Sequence, residues 1–160
     1  EVGYLCLFIG QKMGFKEQEL EELCIAALLH DYGKIKIPIE IISKPGPLDV
    51  VEREIIEVHT ALGVYHLRNN GLSNGILDGI YEHHESVIGS ERGYPRHLVK
   101  NEIHIFGRII AVADKMSAFT QSRVYHKGRS KAEVVEFIRN CEDLDREIVD
   151  VILQEEQKDG

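Results

Sequence analysis

Basic residues are in short supply in this 160-residue chain: 19 Lys and Arg stand against 27 Asp and Glu, a formal charge of −8. Extended nucleic-acid binding needs a basic footprint, so the balance argues against DNA as a partner. It leaves room for a small anionic ligand, because bound divalent metals would reverse the local sign. Long apolar runs are missing as well. Every run is broken by charge, so no segment is fit to span or contact a membrane. No signal peptide is visible. The three cysteines, Cys6, Cys24 and Cys141, are odd in number, far apart and without a Cys-x-x-Cys pair. They argue against a disulfide framework, fit a reducing cytoplasm, and read as small buried hydrophobes. Proline is scarce at 4 residues, nothing is low in complexity, and there is no internal repeat. What is there, 43% apolar and 29% charged, is the composition and length of one globular domain over residues 1–160.

No segment sustains a two-residue alternation, and the chain reads as helix after helix: an all-α fold of six to seven helices. Val2–Met13 is apolar on most sides and stops at Gly14. Glu17–His30 places Leu20, Leu23, Cys24, Ala27 and Leu28 on one face, with acidic residues crowding its start. A short helix after Pro38 precedes the break at Pro45-Gly46-Pro47. Asp49 and Glu52 form a capping pair for a long helix to about Arg68, with the stripe Val51, Ile55, Val58, Leu62 and Tyr65. Further helices are predicted over about Gly75–Glu85 and Ile103–Thr120. Another runs from a Ser130 capping box to Arg139, and the last is capped by Asp143 and reaches about Glu156.

Several ionisable residues fall where apolar ones belong. His30-Asp31 ends one core helix, His59 sits on the buried side of the next, His83-His84 ends a third, and Asp114 lies inside the most apolar helix. Each alone is ordinarily a satisfied core residue or a cap. Together, four helices bring an imidazole or carboxylate inward. Burying that many groups unpaired costs several kcal/mol apiece, on the order of a domain's whole stability. A shared metal centre resolves the cost. His nitrogen and Asp oxygen suit Fe, Mn, Zn or Ni, and the absence of thiolates speaks against a structural zinc site. Helical neighbours point about 100° apart, which sends His83 and His84 to two different ions, with Asp31 able to bridge them. His66, seven residues beyond His59, is a weaker candidate to face the cleft, while His97 and His104 read as solvated.

The ordered series resembles the HD-GYP branch of the HD-domain phosphohydrolases. His30-Asp31-Tyr32-Gly33-Lys34-Ile35 is similar to its HD-x-G-K-I segment, followed by Ile37-Pro38 and Lys44-Pro45-Gly46. His83-His84-Glu85 matches the HHE motif, Gly93-Tyr94-Pro95 the signature tripeptide, and the segment from Arg108 to Asp114 the closing R-I-x-A-V-A-D. The resemblance implies a helical domain around two divalent metals, Fe or Mn before Zn or Ni. The ligands it implies are His30, Asp31, His59, His83, His84 and Asp114. Lys34 would contact the scissile phosphate, Arg123 would hold the nucleotide, and Tyr94 would serve recognition. The implied activity is metal-assisted hydrolysis of cyclic di-GMP to pGpG and GMP in bacterial signalling. GGDEF-type signalling proteins are implied partners through the GYP loop.

Five departures bear on that implication. A Glu and a His, placed by the family four residues apart on the preceding helix, are not in this sequence. Ile88 stands in place of an Asp, Glu91-Arg92 lengthens the signature loop by two, Ser117 replaces a second Asp, and Val124 and His126 replace Pro and Arg/Lys. An active phosphodiesterase and a degenerate domain that binds a nucleotide or a partner protein without turnover are therefore both carried forward. A generic HD nucleotidase stands behind them.

Overall fold

A computed structural model describes residues 1–121 and 131–156, and all of their regular secondary structure is helical. Helices α1 (Val2–Lys12) and α2 (Glu17–Leu29) form an antiparallel pair. A 3-10 turn over Tyr32–Lys36 and the one-turn α3 (Ile39–Ile42) lead to α4 (Val50–Glu57), α5 (His59–Leu67) and α6 (Asn74–Glu82). The long α7 (Ile105–Gln121) runs through the middle, and α8 (Lys131–Arg139) and α9 (Arg146–Glu156) close the fold.

The sequence explains where these helices begin. Asp49 accepts the Glu52 N–H at 2.9 Å while the Glu52 carboxylate accepts the Asp49 N–H at 2.9 Å, the expected box at the head of α4. Ser73 accepts the Ile76 N–H to cap α6 and donates its own proton to Glu22 of α2 at 2.8 Å, joining the two helices. The last helix is capped by Asp145, which accepts the Glu147 N–H at 3.0 Å, and not by Asp143. Asp143 instead accepts the hydroxyls of Ser86 and Ser90. The Ser130 box lies outside the described residues.

Core packing centres on α7, where Ile109, Ile110, Val112 and Ala113 are fully buried against Cys6 and Ile9 of α1, Leu23 and Ala26 of α2 and Ile80 of α6. Ile138, Ile148 and Val149 cover its far end. Cys6 is the buried hydrophobe the sequence predicts, its thiol pushed up to about 12 by burial. Cys24 and Cys141 are only half-buried.

Two predicted faces are shifted. On α2 the buried set is Leu23, Ala26 and Ala27, with Leu28 turned out to solvent at 71% exposure. The helix expected over 49–68 breaks at Val58, which gives the chain more helices than the six or seven expected. The buried face is rotated from the predicted stripe on both sides of that break, running through Ile55 and Ile56 into α5. The predicted stripe residues Val51, Val58 and Tyr65 are exposed, and His59, Thr60, Gly63 and Leu67 form the buried face.

Gly33 makes the junction possible. A Cβ there would collide with the His59 carbonyl oxygen and come within 2.7 Å of the Gly63 N. Backbone meets backbone at that point, bringing the 3-10 turn, and Asp31 just before it, against the start of α5.

Candidate metal centre

Three helix ends deliver the histidines in the same way. His30 follows α2, His59 stands two residues beyond α4, and His83 follows α6. In each the Nδ1–H donates to the carbonyl three residues back: Ala27 at 2.8 Å, Ile56 at 2.7 Å and Ile80 at 2.8 Å. A carbonyl only accepts, so the proton is on Nδ1 and the Nε2 lone pair points inward, the arrangement that ligating imidazoles need. The carbonyl ends of α2 and α6 also lie here, which favours a cation.

Asp31 is the hub. Its Oδ2 lies 3.4 Å from His30 Nε2 and its Oδ1 3.4 Å from His59 Nε2, so the two oxygens face opposite halves of the site. His59 Nε2 is 3.4 Å from His83 Nε2. Asp114, from α7, comes within 3.8 Å of His30 Nε2. One ligand atom from each of Asp31, His59, His83 and His84 lies within 4.8 Å of all the others. The expectation that helix geometry separates His83 from His84 does not hold. Helix α6 stops at Glu82, and the two rings sit 4.1 Å apart.

The charge states suit a divalent metal. Burial lowers the pKa of His59, and it lowers that of His83 to about 3, helped by the neighbouring His30 and His59. Burial also holds His84 well below the usual histidine range. These imidazoles are neutral at pH 7, as ligands must be. Burial opposes protonation of His30 too, but the nearby carboxylates of Asp114 and Asp31 outweigh it and raise its pKa. His30 Nε2 and Asp31 Oδ1 are buried without a hydrogen-bond partner. Such orphaned polar atoms cost about 1–3 kcal/mol each, and a cation between them removes the cost. The residues present therefore fit a divalent metal.

Around this cluster, Lys34 Nζ holds Asp31 Oδ2 at 2.7 Å from the half-exposed rim. Tyr94 stacks on His84 at 4.7 Å between centroids, and its phenol is pushed above the ordinary range by burial. A cavity of about 320 Å³ opens beside His83, His84 and Asp114. Arg123, Val124 and His126 lie outside the described residues. His66 is exposed against Tyr65 and takes no part, and Ile88 is also exposed. Ser117 is buried in α7, three residues past Asp114. His97 is solvated as predicted, but His104 is half-buried against Phe106 with its pKa lowered by burial.

Sequence reasoning missed the pair of buried glutamates that fasten the signature loop. Glu85 accepts the N–H groups of Arg96 at 2.6 Å and Leu98 at 2.9 Å. Glu82 accepts the Arg96 guanidinium at 2.9 Å and the His104 N–H at 2.6 Å. The signal was present: Glu82 lies six residues after Ile76 and three after Gly79, on the buried face of α6. Glu85→Ala is expected to destabilise the protein by about 2–3 kcal/mol, since two backbone donors lose their acceptor. It should also release Tyr94 from His84. Urea unfolding and Tyr94 fluorescence quenching measure the two effects.

The helical fold and this cluster define a class, and a family model described as HD domain matches residues 1–148. The chain belongs to the HD domain family. Among curated proteins it is 34% identical over 161 residues to 3'3'-cGAMP-specific phosphodiesterase 1 of Vibrio cholerae, covering 99% of this chain and 37% of that one. It is 35% identical over 173 residues to a cyclic di-GMP phosphodiesterase of Thermotoga maritima, covering 99% and 46%. The chain thus spans less than half the length of these two relatives. Among solved structures, Bd1817, an HDG"Y"P protein from Bdellovibrio bacteriovorus, superposes with a TM-score of 0.74 at 20% identity, over 96% of this chain and 50% of that one. That likeness supports the fold.

Proposed function

We propose that this domain is a metal-dependent phosphodiesterase acting on a cyclic dinucleotide, with cyclic di-GMP as the substrate and pGpG and GMP as products. The observation that carries the reading is the arrangement around Asp31, whose two oxygens face separate groups of neutral or carboxylate-paired imidazoles. The names of the relatives, phosphodiesterases of cyclic di-GMP and 3'3'-cGAMP, support the substrate class.

His30, Asp31 and Asp114 would hold one divalent metal, and Asp31, His59, His83 and His84 a second. Nitrogen and carboxylate donors suit Fe or Mn, with Zn or Ni as alternatives. When bound, such metals supply a Lewis acid and lower the pKa of water. The chain's own residues do the rest. Asp31 orients the two halves of the site. Lys34, held against Asp31 at the rim, offsets charge building on the non-bridging phosphoryl oxygens. Tyr94 walls the His84 side and, with Arg123, takes the nucleotide. The GYP loop offers a surface to GGDEF-type partners, and the setting is cytoplasmic.

The test is metal content and turnover of protein purified without chelator. One to two equivalents of Fe, Mn, Zn or Ni, with cyclic di-GMP cleaved to pGpG by mass spectrometry and cleavage stopped by EDTA, is the expected result. A well-folded protein that binds no metal when supplied with it overturns the reading. Ser117, buried where the resemblance has a carboxylate, favours a second reading, a binding module. Full metal loading with nucleotide binding and no turnover identifies it. Comparing 3'3'-cGAMP with cyclic di-GMP in the same assay fixes the substrate.

A further inference from the structure

The cavity beside the metal cluster has two cations on its wall that the site described so far does not use. Arg92, from the two residues by which this loop exceeds the motif it resembles, and Lys115, next after Asp114 on α7, both line it together with His84 and Asp143. Neither has a carboxylate within 4.0 Å among the described residues. Glu85, Asp114 and Asp143 share the cavity wall with them, and Asp143 is the carboxylate whose charge both cations meet. Its Oδ1 is already engaged by the hydroxyls of Ser86 at 2.5 Å and Ser90 at 2.7 Å. Those hydrogen bonds, more than the two cations, hold its carboxyl below the ordinary range. Two uncommitted cations thus face an open volume of about 320 Å³ that is continuous with His83, His84 and Asp114. That volume is within the usual span for a ligand pocket, roughly 300–1,000 Å³.

A cyclic dinucleotide carries two phosphodiesters. When one is presented for cleavage at the Asp31 cluster, the other remains a full negative charge elsewhere on the same ring. In a chain of formal charge −8, that second anion enters a repulsive field unless local cations meet it. We infer that Arg92 and Lys115 form the subsite for this second, uncleaved phosphodiester. The inference rests on the phosphodiesterase reading and extends it to substrate recognition. Arg92 brings a planar fork able to take two phosphate oxygens, and Lys115 a compact charge on a helix that also positions Asp114.

The experiment is titration calorimetry of cyclic di-GMP onto the wild-type chain and onto Arg92→Gln, Lys115→Gln and Asp143→Asn, in EDTA so that no hydrolysis occurs. Arg68→Gln, which removes the same charge from a residue outside the cavity, is the control. Each cavity cation removed weakens binding about tenfold, the effect of one charge-assisted contact. Asp143→Asn tightens binding by removing the competing charge, and Arg68→Gln leaves the Kd where it was. Wild-type binding with unchanged Kd in both cation variants overturns the subsite alone, as does an equal loss in Arg68→Gln. A wild-type chain that binds no cyclic di-GMP, with or without metal, overturns the parent reading and this one with it.

Discussion

Asp31→Asn should leave the fold standing and empty the metal centre. The substitution keeps the shape of the side chain and removes its charge. In the metal-free protein it gives up the ion pair with Lys34, whose partners are 38% and 37% exposed. A pair that open to water is worth about 1 kcal/mol or less, so urea unfolding should barely move. Metal binding is another matter, because the Asp31 carboxylate lies 3.4 Å from the Nε2 atoms of both His30 and His59. Elemental analysis should find metal reduced to a small fraction of an equivalent. Turnover should fall by a factor on the order of 10³, comparable to the loss of a principal electrostatic contact in an active site. His83→Ala, from the fully buried side of the cluster, should do the same to metal content. Full metal and full turnover in Asp31→Asn would remove Asp31 from the site.

Gly33→Ala is the second large effect, and it acts through the backbone. The added methyl has no space to enter: the obstructing atoms are the His59 carbonyl oxygen and, at 2.7 Å, the Gly63 N. Main chain cannot swing aside as a flexible side chain can, so the 3-10 turn must lift away from α5. Overpacking of this kind costs roughly 1–3 kcal/mol and occasionally more; with backbone as the obstacle, about 3 kcal/mol or above is expected in urea unfolding. The same displacement pulls Asp31 off His59, so metal content should drop even under conditions where the variant is fully folded. A Gly33→Ala protein of wild-type stability would mean that the turn and α5 do not touch as described.

The parts of the site that were legible in the sequence share one property: each is a charge or imidazole at a position where helical spacing calls for an apolar side chain. His30 continues the buried run Leu23, Ala26, Ala27 at the seventh residue, and Asp114 follows Val112 and Ala113, both fully buried. Such contradictions are visible in one dimension. The parts that were not legible depend on contacts between distant segments. The inward face of α4 and α5 is one: two stripes of apolar residues compete there, and only the packing of Gly33 and Ile80 against Gly63 puts the one through Ile55, His59 and Gly63 inside. The partners of Glu82 and Glu85 are another. Nothing near them in sequence reveals that the N–H groups of residues 96, 98 and 104 return to meet them. Arg92 is a third, since a charged loop residue announces itself only when the wall it lines is known.

That His30, His59 and His83 each take their ring orientation from a carbonyl three residues earlier has a consequence for how chains of this kind can vary in length. The aim of every one of these imidazoles is settled within a single turn of backbone. Residues can be gained or lost in the loops that separate the helices without re-aiming a ring, and the two extra residues before Gly93 are such a case. One residue gained or lost between Ala27 and His30, Ile56 and His59, or Ile80 and His83 would instead swing a ring by about 100° and break the centre at a stroke. Tolerance of insertions and deletions should therefore drop to nothing in three four-residue windows and recover on either side of each, a pattern that a deep insertion scan scored by metal retention would display directly.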